Sequence, residues 1–384
     1  MTIERTTLSG PALLAAVRDL TPAITGRAEE IEKGRRLPLD LVETLTEVGC
    51  FRMLLPRSHG GGGIEFPAAL RVLEQLSRAD ASVGWTVMIG AASWCDLAGL
   101  PRASFDDLYA GGPVISGGAF SPSGTAVPVD GGYRIRGRWA FASGCEHCSW
   151  LYGNCVEDVS GEAKLRMVVF SPEEIEIEDT WTTSGLCGTG SHHFVAADVV
   201  VPAQRTFLLL ESEPCLDEPV LRIPVPALAA LAIAGVALGV AQSALADIQA
   251  IAGGKTPLLS AGTLAANPLF QHQLATADTQ LRAARALLYA DADAAWATAA
   301  GRQGFTPDQR ARIRSTAVWL TATAAAVVDV CYRAGGGGSV YLDSPLQRRH
   351  RDIHAVTQHF LVRPDTLTTA GAVFAGQDVD LTIF

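Results

Sequence analysis

Apolar residues recur at helical spacing through the first hundred positions and again after residue 225, with a differently textured stretch between. Leu13, Leu14, Val17 and Leu20 form one stripe. Leu41, Val42, Leu45 and Val48 form a second, in a segment opened by Pro38. The glycine run Gly60 to Gly63 ends that unit after Leu54-Leu55-Pro56. Ala68 to Ser77 is amphipathic again, and Ser82 to Leu97 reads as a mostly apolar helix. From about 111 to 215, β-branched residues and turn dipeptides take over. Pro128-Val129-Asp130-Gly131-Gly132-Tyr133-Arg134-Ile135 predicts strand, Asp-Gly turn, strand. Met167 to Phe170 is a buried-strand run, and Phe194 to Val201 alternates until Pro202. Helical periodicity then returns over about 227–252, 268–300, 307–334 and 345–360, four segments that suit a bundle. The pattern predicts an N-terminal α-helical domain (1–110), a central β domain (111–220) and a C-terminal helix bundle (221–384).

Composition narrows the classes. The chain has 384 residues, 48% apolar and 18% charged, which excludes global disorder. A net charge of −10 without a basic run argues against nucleic acid or an anionic membrane as the main partner. Ile223 to Ala246 carries no charge, but Pro224, Pro226, Gln242 and Ser243 interrupt it, so a buried bundle helix is expected. Met1 to Pro11 holds no apolar signal-peptide core. Eight cysteines in such a chain are expected as reduced thiols in the cytoplasm.

Five segments offer chemistry. Gly137-Arg138-Trp139-Ala140-Phe141-Ala142-Ser143-Gly144-Cys145 sets two aromatics and a hydroxyl after a strand, either a wall for a flat ligand or a tight turn with a core Trp. Trp181 to His193 alternates glycines with small hydroxyl residues. That suits a phosphate or a heteroaromatic edge, yet it is neither a P-loop nor a dinucleotide fingerprint; the plainer alternative is a glycine-rich hairpin. Cys145-Glu146-His147-Cys148 lacks the second pair a zinc site needs, so packed thiols and no metal are expected. Gly335 to Gly338 breaks a helix. Arg348 to His359 carries three histidines beside an Arg cluster; in one helix His350 and His354 share a face, with His359 close to the face of Asp352.

Taken together, these segments in an α–β–α order resemble the acyl-CoA dehydrogenase fold over nearly the whole chain: α+β, a helical domain, a β-barrel or sandwich, and a four-helix bundle. The motif Gly137 to Cys145, Gly188-Thr189-Gly190-Ser191 with the strand to Pro202, Arg351-Asp352 with His359, and the tail from Ala375 to Phe384 resemble its flavin-dependent monooxygenase branch, like the oxygenase component of two-component p-hydroxyphenylacetate hydroxylases. The resemblance implies reduced FAD or FMN from a separate NAD(P)H-dependent reductase, O2 as co-substrate, and a flavin C4a-hydroperoxide. The product is a hydroxylated aromatic, indolic or polycyclic small molecule, with natural-product biosynthesis as one setting. It implies Ser143 near flavin N5 and His359 as a base near the substrate. Trp139, Phe141 and Ala142 belong to the dry wall, and Thr189 and Ser191 lie near the ring or ribityl chain. Arg282, Gly336 and Gly337 reach a neighbouring subunit's flavin phosphates in a homotetramer. The alternatives are an acyl-CoA dehydrogenase or oxidase and an N-oxygenase of an amino substrate. Two departures stand out. The stretch after Arg351-Asp352 has no Glu to serve as a dehydrogenase base. Ser116-Gly117-Gly118-Ala119-Phe120 stands where phenol hydroxylases carry a histidine.

Overall fold

The computed structural model describes residues 8–110, 112, 114–159, 161–382 and 384. Six α-helices come first: α1 (Gly10–Gly26), α2 (Ala28–Gly34), α3 (Leu39–Val48), α4 (Phe66–Ala79), α5 (Ala81–Leu97) and α6 (Arg102–Ala110). Helix α5 is apolar around most of its circumference because it is buried along nearly its whole length. Asp80 caps it, accepting from the amides of Ser82 and Val83 at 2.9 and 3.1 Å.

Seven strands follow: β1 (Ser116–Val129), β2 (Gly132–Ala142), β3 (Trp150–Val159), β4 (Glu162–Phe170), β5 (Glu176–Glu178), β6 (His192–Pro202) and β7 (Thr206–Leu208). They form one sheet in the order β5-β6-β2-β1-β3-β4-β7, with β1 and β3 parallel and the other pairs antiparallel. Asp130-Gly131 makes the β1–β2 hairpin turn, Gly131 at φ +76°. The sheet is curled. β2 and β4 are three places apart, about 14 Å in a flat sheet, yet the Trp139 and Phe170 rings approach to 5.4 Å. Trp139 also stacks on Phe194 at 4.9 Å and donates its indole N–H to the Asn154 carbonyl at 2.8 Å. Glycines on three strands make room for that indole: a Cβ at Gly124, Gly137 or Gly153 would lie 2.3 to 2.6 Å from it.

The C-terminal helices are α7 (Val225–Ala252), α8 (Pro268–Ala300), α9 (Pro307–Gly335), α10 (Pro345–Val356) and α11 (Thr366–Phe374). Helix α7 is long and apolar enough to cross a membrane, but 89% of its most apolar stretch is buried against the other helices. Gly239 lets α7 meet α4 backbone to backbone; a Cβ there would lie 2.4 Å from the Glu74 carbonyl oxygen. The buried Glu74 carboxylate pins the same junction, accepting from Gln242 and Arg285 at 2.7 Å each and from the Tyr289 hydroxyl. The sequence pattern ran the last bundle helix on to about 360. It stops at Val356, so His359 is not on a helix face, and α11 follows as an element the periodicity did not announce. Gly239→Ala should destabilise the protein by about 1–3 kcal/mol, the usual cost of overpacking a filled contact. The denaturation midpoint measures it, and an unchanged midpoint would show that α4 and α7 are free to part.

Candidate active site

Three separate segments converge on Ser143. Strand β2 ends at Ala142, and Ser143-Gly144 turns away with Gly144 at φ +71°. The loop before β6 turns at Leu186 and Gly190, at φ +50° and +51°, and presents Thr189 and Ser191. The Gly144 amide donates to the Thr189 carbonyl at 2.8 Å, which locks the two loops together. Helix α5 supplies Trp85. Its indole N–H donates to Ser143 Oγ at 3.0 Å. Ser143 Oγ lies 2.7 Å from Ser191 Oγ, which lies 2.7 Å from Thr189 Oγ1. Thr189 donates to the Leu186 carbonyl at 2.8 Å. All four side chains are buried.

His359 stands edge-on to Trp85, ring centroids 5.7 Å apart. It follows the end of α10 and caps the short turn Phe360–Val362, its Nδ1 accepting from the Leu361 amide at 3.3 Å. A neutral ring accepting at Nδ1 carries its hydrogen on Nε2. Burial, with the nearby Arg314 guanidinium, lowers its pKa to about 4. The group is therefore a neutral N–H donor at ordinary pH, and a weak base.

Arg351-Asp352 serves a structural purpose. Asp352 accepts the Leu186 amide N–H at 2.7 Å, while Arg351 donates to the Ser184 carbonyl at 2.6 Å and pairs with Glu32 of α2 at 2.5 Å. Gly185 allows the contact, since a Cβ there would lie 2.1 Å from the Arg351 carbonyl oxygen. Burial, then the charge of Asp80, pushes the Asp352 carboxyl up to about 7.

The other residues singled out in the sequence divide. Phe141 lies at the rim, 71% exposed, at φ +66°. A bulky side chain in that region costs about 1–3 kcal/mol. Trp181 and His193 flank it edge-on at 6.2 and 6.5 Å. Trp139 and Ala142 are fully buried, and Trp139 faces the interior of the curled sheet rather than the rim. Arg282 is a solvent-facing residue of α8 paired with Asp278 at 3.6 Å, and a side chain at Gly337 would meet open space. Neither has a contact with the Ser143 cluster among the described residues. His350 and His354 turn to Asp329, at 3.3 and 2.8 Å, leaving His359 as the histidine of that segment that joins Trp85. Cys145 and Cys148 are free thiols, and burial pushes Cys145 up to about 12.

Sequence reasoning missed Trp85, which reads as one more apolar residue of α5. His192, singled out in the sequence only as part of the Trp181–His193 run, accepts at Nδ1 from the Thr180 and Trp181 amides at 3.1 Å each and so sets the loop beside Phe141. A cleft of about 550 Å³ lined by Gly99, Arg102, Arg166, Phe207 and Cys215 shares none of these residues. The rim at Phe141 suits a planar heteroaromatic ring with both donors and acceptors. Ser143 offers a hydroxyl oxygen, and buried polar atoms without a partner in the chain stand nearby. These are His193 Nδ1 beside Phe141 and Oγ1 of Thr86, whose methyl would lie 3.0 Å from a Cβ at Gly144. The residues present fit a flavin ring.

Comparison with known proteins agrees. Residues 11–98 match the acyl-CoA dehydrogenase N-terminal domain, and residues 231–364 match the acyl-CoA dehydrogenase C-terminal domain. The chain is 34% identical to indole-3-acetate monooxygenase of Pseudomonas putida, over 96% of this chain and 94% of that one. It is 30% identical to the oxygenase component of an FADH2-dependent resorcinol hydroxylase of Rhizobium sp., over 93% and 92%. The crystal structure of XiaF from Streptomyces sp. in complex with FADH2 and glycerol superposes with a TM-score of 0.90 at 26% identity, covering 96% of each chain.

Asp352→Ala should lower stability by about 1–3 kcal/mol by orphaning the Leu186 amide, while Asp352→Asn, which keeps an oxygen acceptor, should cost clearly less. Thermal unfolding of the two variants decides, and equal losses would sink the clasp. His359 gives a pH test. Its folded pKa of about 4 lies below the ordinary 6.5. The ring therefore gains a proton on unfolding between those values, and its contribution, full above pH 6.5, is lost as pH falls toward 4. His359→Asn should flatten that part of the stability profile relative to the unsubstituted protein.

Proposed function

We propose that this chain, which belongs to the flavin-dependent monooxygenase branch of the acyl-CoA dehydrogenase family, hydroxylates an indolic or related bicyclic aromatic small molecule. It is the oxygenase component of a two-component system, using reduced flavin and O2 with a separate flavin reductase as partner. The observation that carries the substrate reading is the glycine pair on β1. A Cβ at Gly118 would lie 2.0 Å from the Tyr152 carbonyl oxygen, and one at Gly117 would lie 3.0 Å from Cys148 Sγ and 3.4 Å from the Ser143 carbonyl oxygen. A side chain at Gly118 would run into backbone and one at Gly117 would have to displace the Cys148 thiol, so the chain presents no imidazole here to recognise a phenol oxygen. Full-length similarity to an indole-3-acetate monooxygenase supports the same direction.

In this reading reduced flavin, when bound, would supply the two electrons for splitting O2, one oxygen atom entering the aromatic ring and the other leaving as water. The chain's own residues hold and dry the site. Phe141 and Trp181 are the rim against which the planar ring rests, and Ser143 offers an oxygen to its N5 edge. Thr189 and Ser191 support Ser143 from behind. Trp139 acts at one remove, filling the sheet interior beneath the strand that ends at Ser143. His359 presents Nε2–H to the substrate and orients it; a pKa of about 4 replaces the base expected from sequence with a donor. FAD and FMN both remain within the reading.

Homotetrameric assembly is part of the proposal. Val340, Tyr341 and Leu342 beside the Gly336-Gly337 turn, and Leu258 and Leu259, are all more than 60% exposed. In such an assembly Gly336, Gly337 and Arg282, all at the surface, would be the groups available to a neighbour's flavin phosphates. A cytoplasmic setting suits eight free cysteines.

Oxygen uptake with reduced FAD or FMN, followed by a screen of indolic and phenolic substrates, tests the function. Coupled product from an indole and none from resorcinol is expected, and the reverse order would overturn the substrate assignment. Ser143→Ala should divert oxygen from product to hydrogen peroxide; unchanged coupling rejects its role. His359→Ala should lower turnover by about 10²–10³-fold, the scale of a lost preorganised donor. The unsubstituted enzyme should show no ionisation near pH 6.5 from this residue in its kcat profile.

A further inference from the structure

We propose that Ser191 and Thr189, acting through Ser143, make the site discriminate between the redox states of flavin in favour of the reduced form. The inference rests on the flavin reading above and follows from counting protons. Each hydroxyl owns one. The Thr189 proton is committed to the Leu186 carbonyl, which can only accept, at 2.8 Å. Ser191 must then donate to Thr189, and Ser143 to Ser191, across 2.7 Å in each case. The Trp85 indole N–H, a donor without acceptor capacity, fills one lone pair of Ser143 Oγ at 3.0 Å. One lone pair is left. Ser143 can accept one more hydrogen bond and has no proton to give.

The two states of flavin differ at the edge that meets such a group. N5 of reduced flavin carries a hydrogen and donates; N5 of oxidised flavin has a lone pair and accepts. The reduced ring meets its complement at Ser143, while the oxidised ring faces lone pair against lone pair unless the whole chain reverses. Reversal is blocked at the far end, where the Leu186 carbonyl has no proton to return. That carbonyl is itself fixed, because it also accepts the Trp181 indole N–H at 3.1 Å and the Leu186 amide is bound to Asp352 at 2.7 Å. None of the four linked side chains is more than 7% exposed, so bulk water does not supply the missing proton. The discrimination suits a protein that receives reduced flavin from a reductase and must return the oxidised form to it. Thr189 and Ser191 are positioning residues here: they set which way Ser143 faces its hydrogen.

Equilibrium binding tests this without turnover. Dissociation constants are measured for oxidised FAD and FMN by fluorescence, and for the reduced forms by anaerobic titration. The proteins are the unsubstituted chain, Ser191→Ala, Thr189→Val and Thr189→Ser. The unsubstituted chain should prefer reduced flavin. In Ser191→Ala and Thr189→Val the Ser143 proton is released to face N5, so oxidised flavin should bind about tenfold tighter with the reduced form little changed. Thr189→Ser, which keeps the hydroxyl, should retain the original ratio. An original ratio kept by both Ser191→Ala and Thr189→Val, or an equal weakening of both flavin forms in them, overturns the proposal and leaves the flavin reading intact. Binding of neither form by the unsubstituted chain removes both.

Discussion

A buried carboxylate on the last bundle helix takes the amide hydrogen of a loop 166 residues away in sequence, and the rest of the site is arranged around that bond. Asp352 fixes the Leu186 amide. The Leu186 carbonyl, on the same residue, then anchors the far end of the hydroxyl chain through Thr189. Leu186 pays for this with a left-handed backbone, φ +50°, that an isolated leucine avoids. Helix α10, the loop before β6 and the end of β2 are thus coupled through one peptide unit. Displacing that unit would release Thr189, Ser191 and Ser143 in turn, and none of them has bulk water as an alternative partner.

The Asp352 bond works because it is dry. Asp80, Arg349 and Asp352 are all buried where α5, α10 and the loop meet, and Asp247 stands 3.5 Å from Arg349. Asp80 spends its charge capping α5, the helix that carries Trp85. A charge in such surroundings is tolerated only where hydrogen bonds replace its lost hydration. The same exclusion of water that raises the Asp352 carboxyl lowers the His359 imidazole, because burial disfavours the charged form of each. The site is consequently built from groups neutral near pH 7: an indole N–H, three hydroxyls and an imidazole N–H.

What the sequence disclosed and what it hid divide by the range of the interaction. Helical stripes and the Asp130-Gly131 hairpin are local, and those elements appear where the pattern put them, apart from the early end of α10 and the unannounced α11. The glycine-hydroxyl run was legible as a concentration of polar groups, and the structure gathers its Thr189 and Ser191 beside Ser143. The two aromatics of the β2 motif were misplaced relative to each other. Residues 139 and 141 share a face in a regular strand. The β2–β6 register, however, is interrupted between Trp139 and Ala142, and Phe141 takes φ +66°, so one ring goes into the sheet interior and the other out to the rim. No periodicity encodes that break. Trp85 was invisible for a different reason: in an apolar helix, a tryptophan chosen for its N–H looks the same as one chosen for its bulk. Arg351-Asp352 was visible as a motif, but only the fold reveals that its partner is a backbone amide.

The same residue is withdrawn from service as a base. Between Pro345 and Val362 the one carboxylate is Asp352, and it is buried with its oxygen committed to Leu186. Abstracting a proton from carbon needs a base that is both free and ionisable near neutral pH. Here the carboxylate is tied up, and the imidazole that stands against Trp85 has a pKa of about 4. A neutral, water-poor surround whose hydroxyl protons are already committed gives little stabilisation to a carbanion. It does preserve a reactive oxygen species from hydrolytic loss, and it holds a flat, uncharged ring by contact and by single hydrogen bonds. The acid–base inventory around Ser143 therefore points away from proton abstraction and toward transfer of an oxygen atom. The residue that closes off the first chemistry, Asp352, is also the one that holds in place the loop needed for the second.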